Sequence, residues 1–125
     1  MRLLYHPDCK DISLASVLYA LGDPVRLEIV RLLATKGEQP CAGFDFVIVS
    51  GGSQRAIAKS TMSHHFRVLR ESGVLYCRKV GTQHINSLRR EELDVMFPGL
   101  MAAVLEAAQK SPSLVPVANQ ADTLA

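Results

Sequence analysis

Two hydrophobic periods meet at Gly73. Before it, Met62, Phe66 and Leu69, with His65 beside them, recur at helical spacing. Ser60, Thr61, Ser63, His64, Arg67 and Glu71 fall on the outer face or at its edge. Ser60 serves as the cap of this helix, which runs to about Ser72, and Gly73 ends it as a left-handed C-cap. After it, Val74–Val80 and Gln83–Leu88 read as two strands joined at Gly81-Thr82, the spacing of a tight hairpin. A helix that runs directly into a hairpin leaves few arrangements open, because both must lay their apolar sides on the same core.

Charge is distributed as unevenly as hydrophobicity. Arg55–Arg90 holds eight Arg and Lys against one acid, Glu71, while the rest holds six basic and eleven acidic residues. The net charge of +2 therefore conceals a +7 segment in a −5 remainder. An ordinary exposed helix mixes acids with bases, yet this one has no acid before Glu71. A helix fits the major groove of DNA, and the backbone beside the groove presents a row of phosphates to a basic hairpin tip. The expected contacts are Lys59, Ser60, Thr61, Ser63, His64, Arg67 and Arg70 on the helix, with Arg78, Lys79 and His84 on the hairpin.

The flanking sequence adds helices. Leu14, Val17, Leu18 and Leu21 place one from about Asp11 to Leu21. Gly22 stops it, Asp23 caps the next, and Pro24 suits the first helical position. Val25, Ile29, Leu32 and Leu33 mark the buried stripe of that second helix, which stops near Lys36-Gly37. Between 38 and 58 the pattern is weak: a helical turn over Cys41–Phe46, strand character at Val47–Val49, a Ser50-Gly-Gly-Ser53 loop, and a helical turn over Gln54–Ala58. From Arg89 onward, Leu93, Met96, Phe97, Leu100, Met101, Val104, Leu105 and Ala108 keep helical spacing, with a break before Pro98. The domain plan is an N-terminal arm over 1–10, one domain over 11–110 and a disordered tail over 111–125.

Several classes of function are disfavoured. No apolar run approaches the roughly 18–20 residues of a membrane span, and the N-terminus lacks the pattern of a secretory signal, so a cytoplasmic protein is expected. Cys9, Cys41 and Cys77 are odd in number and far apart, which argues against a disulfide framework or a cysteine-built zinc site. His64 and His65 are adjacent on a helix and diverge, so no metal and no cofactor are expected. There is no glycine-rich phosphate loop, carboxylate pair or nucleophile–base spacing of an enzyme.

Ala20-Leu-Gly-Asp-Pro-Val-Arg-Leu-Glu-Ile-Val30 and Ser60-Thr-Met-Ser-His-His-Phe-Arg-Val-Leu-Arg-Glu-Ser-Gly-Val74 together resemble the two conserved blocks of ArsR-type bacterial repressors. That resemblance covers roughly residues 12–110. It implies a mainly α, dimeric winged helix-turn-helix: helix, helix, short helix, recognition helix, hairpin, helix. It also implies a homodimer built from the first and last helices. The apolar residues there are Leu14, Val17 and Leu18, with Leu100, Met101, Val104 and Leu105. Many relatives release DNA on binding a metal or on thiol oxidation. Here the family's ligand sets are missing, since only Cys41 lies near the third helix and no His follows Asn86. Cys41 and Cys77 remain as candidate thiol sensors.

The leading expectation is a sequence-specific DNA-binding regulator, a homodimeric repressor on an inverted-repeat operator, with the inducer open. One departure sustains an alternative. Twelve residues, 47–58, stand between Phe46 and Lys59 where close relatives carry a short connection. An insertion there would give a dimeric interaction module with impaired or non-specific DNA binding.

Overall fold

The computed structural model describes residues 4–41, 44, 46–50, 53–110 and 115–116, with backbone alone at 46–50, 53–55 and 115–116. The order is α1 (Leu14–Leu21), α2 (Pro24–Lys36), β1 (Gln39–Pro40), β2 (Phe46–Ser50), β3 (Ser53–Ala56), α3 (Lys59–Glu71), β4 (Leu75–Val80), β5 (Gln83–Leu88), α4 (Arg90–Met96), α5 (Leu100–Lys110) and β6 (Val115–Pro116).

Local chemistry sets most boundaries. α1 starts later than its spacing predicts: Ser13 accepts from the Ser16 N–H at 3.1 Å, and Cys9–Asp11 form a separate 3-10 turn. Asp23 Oδ1 accepts from the N–H groups of Val25 (2.8 Å) and Arg26 (3.2 Å), with Pro24 at the first position of α2. Such a cap is worth about 1 kcal/mol. α3 starts one residue before the expected cap. Ala58 holds the N-cap position without a side-chain bond, and Ser60 lies in the first turn.

Gly73 takes φ +90°, and a Cβ there would sit 2.6 Å from Ile12 Cγ1. Only glycine satisfies both the left-handed backbone and that close approach. The chain then enters β4 and returns in β5, with Val80 opposite Gln83. β1 joins the far edge of β5, giving the order β1-β5-β4. That third strand has no signature in the sequence, since two residues carry no period.

The 38–58 segment departs most from expectation. Gln54–Ala58 is not a helical turn, because Ser53–Ala56 form β3, antiparallel to β2 with Val47 opposite Ala56. Among the described residues a hairpin therefore stands directly before α3, while the turn expected from Cys41 is present in part, with the Phe44 N–H donating to the Cys41 carbonyl at 3.2 Å. Val115–Pro116, inside the expected disordered tail, pair with Val47 and Phe46 on the other edge of β2. The rest of that tail lies outside the described residues.

The core lies between α1, α2, α3, the wing and α5, with Val17, Ile29, Leu69, Leu75, Leu93 and Met101 fully enclosed. This corrects the interface expectation. Val17, Met101 and Leu105 are buried within one chain and need no partner to cover them, while Leu100 and Val104 are half-buried. Leu14 and Leu18, with Tyr19 beside them, are the large hydrophobic side chains that α1 leaves open to solvent.

The N-terminal arm is bound to the body where it is described. Pro7 is buried, and its carbonyl accepts from Arg89 Nη1 at 2.9 Å. The Tyr5 carbonyl accepts from Arg70 Nε at 3.2 Å, and His6 Nε2 accepts from the Cys77 N–H at 3.0 Å. Residues 1–3 lie outside the described residues.

Candidate nucleic-acid interface

The two faces of α3 differ in chemistry because the core takes one of them. His65, Phe66 and Leu69 point inward. Lys59, Ser60, Thr61, Ser63, His64 and Arg67 are all exposed on the other side, as their spacing predicts. With no side chain capping the start of α3, its first-turn amides and short hydroxyls meet solvent together, a geometry suited to phosphate or base edges. Arg67 Nη2 lies 3.2 Å from His64 Nδ1, so the two act as a pair one turn apart.

The basic segment is narrower than its charge count implies. Arg89 is buried and bound by Glu92 at 2.6 Å as well as by the Pro7 carbonyl. Arg90 pairs with Asp94 at 3.1 Å. Arg70 is half-buried, donates to the Tyr5 carbonyl and comes within 3.9 Å of Glu71, so it borders the open face with its guanidinium already engaged. On the wing, Lys79 and His84 face each other across the β4–β5 ladder. Arg78 is exposed but ion-paired with Glu38 at 3.1 Å. Glu38 was not singled out in the sequence: β1 brings it beside the wing, and only the tertiary pairing reveals this. The Arg78 guanidinium holds the Glu38 carboxyl below its ordinary range.

Behind α3 sits Arg26, also missed. Nε donates to the Ala20 carbonyl at 2.7 Å and Nη2 to that of Tyr19 at 3.3 Å, at the C-terminal end of α1. Nη1 is 3.1 Å from His65 Nδ1, which must therefore accept and be neutral there. Burial lowers the His65 pKa, and Arg26 and His64 push the same way against Asp23. The 3.9 Å approach of His65 to Asp23 is thus a contact with a neutral ring and not an ion pair. His6 is likewise lowered, first by burial and then by Arg70 and Arg89.

The cysteines fit a sensor less well than their sequence neighbours suggest. Cys77 is buried, burial raises its pKa, and adjacent Arg78 turns to Glu38. Arg78 is thereby turned away from activating that thiol, and Arg70 opposes the effect of burial without overcoming it. Cys41 is half-buried, and its sulfur accepts from Asn86 Nδ2 at 3.2 Å. Among the described residues no cluster of His, Cys, Asp and Glu has the geometry to hold a metal ion.

The chain matches the helix-turn-helix domain family over residues 21–78, the stretch from the end of α1 to mid-wing. It is 33% identical over 87 residues to the HTH-type transcriptional regulator YceK of Bacillus subtilis, covering 70% of this chain and 81% of that one. It is 31% identical over 88 residues to the arsenical resistance operon repressor of Staphylococcus xylosus, covering 70% and 77%. The chain is an ArsR-type helix-turn-helix transcriptional regulator. An HTH-type regulator of Methanocaldococcus jannaschii is 35% identical over 69 residues, 54% of this chain and 68% of that one. The regulator binds DNA, and its mostly helical body with a three-stranded wing sheet is a winged helix-turn-helix. Among its described residues no helix is long and apolar enough to cross a membrane.

Proposed function

We propose that the regulator is a homodimeric cytoplasmic repressor, without catalytic activity, that grips an inverted-repeat operator. What supports the reading best is the continuity of one exposed surface: the outer side of α3, from Lys59 to Arg67, beside Lys79 and His84 of the wing. The open Leu14 and Leu18 on α1 are the natural centre of a two-fold interface, with half-buried Leu100 and Val104 at its margin. Two α3 helices would then enter successive major grooves, about 34 Å apart.

Fluorescence anisotropy at two salt concentrations, with DNA from the gene's own promoter against scrambled DNA, tests the reading. Tight, selective binding is expected, weakened by Arg67→Ala, with sedimentation showing a dimer at micromolar concentration. The hairpin seated directly before α3 favours a second reading, a dimeric interaction module that does not read sequence. Equal, salt-sensitive binding to both DNAs would establish that one instead.

A further inference from the structure

A hollow of about 590 Å³ opens between α3, the inner side of the wing and the segment that links β1 to α3. That volume suits a small organic molecule. The hollow has two chemistries. Its floor is apolar: Phe44 and Phe66 are buried and meet edge to face at 5.4 Å, with Met62, Ile57 and the buried Cys77 beside them. Its rim is cationic and polar, with Lys59, Arg67 and His84 around it. No carboxylate is among the described residues that line it.

A face that only reads DNA has no use for an aromatic floor under its phosphate contacts. The inserted segment helps to build that floor: Ile57 comes from it, and Cys41 and Phe44 from the stretch just ahead of it. The same hollow is lined by Ser60, Ser63, His64 and Arg67, the outer residues of α3.

We propose that this hollow binds a small organic anion with a planar apolar body, and that the occupant competes directly with DNA for the outer face of α3. The inference rests on that face being the DNA-reading surface. The aromatic floor takes the body, Lys59 and Arg67 take the negative group, and a filled hollow occupies the hydroxyls and guanidinium that the operator needs. Inhibition is then by occupancy of one surface, with no change in the angle between protomers.

The probe is 8-anilinonaphthalene-1-sulfonate, whose emission rises in an apolar site, with uncharged N-phenyl-1-naphthylamine as its neutral counterpart. With the full chain, saturable binding of one sulfonate per chain is expected, reversed by promoter DNA. The apparent Kd for DNA should rise in proportion to probe concentration without levelling off. Ile57→Trp, outside α3, narrows the hollow and should weaken the probe at least tenfold while DNA binding stays. Arg67→Glu, at an exposed position that does not threaten folding, should weaken the sulfonate several-fold and leave the neutral counterpart unchanged.

A DNA Kd that reaches a plateau with probe, or a sulfonate affinity indifferent to both substitutions, overturns the proposal. Absence of DNA binding by the unliganded protein would sink the repressor reading and, with it, the competition. The two substitutions would still decide whether the hollow is an anion site.

Discussion

The molecule contains two hairpins that are held in different ways. β4–β5 is fastened on every side. Val74 and Leu75 are fully buried beneath it, β1 extends it, and His6 from the arm accepts from the Cys77 N–H along the outer edge of β4. β2–β3 is held chiefly by its own ladder and by the two residues of β6. A strand pair gains little stability from its ladder alone, whereas a pair with an apolar face on a core is fixed by burial. The wing is thus part of the folding unit, whereas the described backbone of β2–β3 pairs only with itself and with β6. Position on the DNA face does not by itself make a segment structurally integral.

The largest effect should come from cutting the wing loose. Leu75→Ala empties a fully buried site, and a loss of roughly 2–5 kcal/mol is expected in urea unfolding. Gly73→Ala forces a Cβ against Ile12 at a left-handed backbone, for roughly 1–3 kcal/mol. In contrast, replacing Phe46–Ala56 by a short Gly/Ser link should change stability by less than about 1 kcal/mol, because the described backbone of this hairpin pairs only with itself and with β6. A midpoint shift as large as that of Leu75→Ala would abolish the distinction between the hairpins.

Acid should sharpen it. His6 and His65 have folded pKa values below the ordinary imidazole value of about 6.5. Above that pH both are neutral in either state and contribute fully. As pH falls through 6.5 toward the folded values, the unfolded chain takes up protons first and stability is lost. Hydrogen exchange at pH 5.5 against 7.5 should show the wing amides near Cys77 losing protection, with a smaller change at Val47–Val49. The smallest effect is at Glu38. Glu38→Gln releases Arg78 from its ion pair and should tighten DNA binding a few-fold and steepen its salt slope by up to ~0.9, read by anisotropy.

Much of this was legible in the chain. α2, α3 and the wing follow from residues whose local preferences agree with the fold: Asp23 and Pro24, Gly73, and the Gly81-Thr82 turn. The outer face of α3 was equally clear, since a one-sided basic helix shows in the periodicity. What failed depended on pairing across distance. β1 became a strand only because β5 offered an edge, and Ser53–Ala56 became one because it pairs with β2, whose strand character at Val47–Val49 the sequence did show. The charge count overstated the surface because it could not show that Arg70, Arg89 and Arg90 are engaged within the protein. The apolar stripe of α5 likewise gives no sign of whether its own chain or a copy covers it.

Arg26 lies in the first of the two blocks that carry the family resemblance, and its three hydrogen bonds make it more than a packed cation. It ties the last carbonyls of α1 to the middle of α3 through one nearly rigid planar group. Any displacement of α1 against α3 would have to stretch or break these bonds. In mechanical terms the side chain is a brace, and its span is the width of a guanidinium.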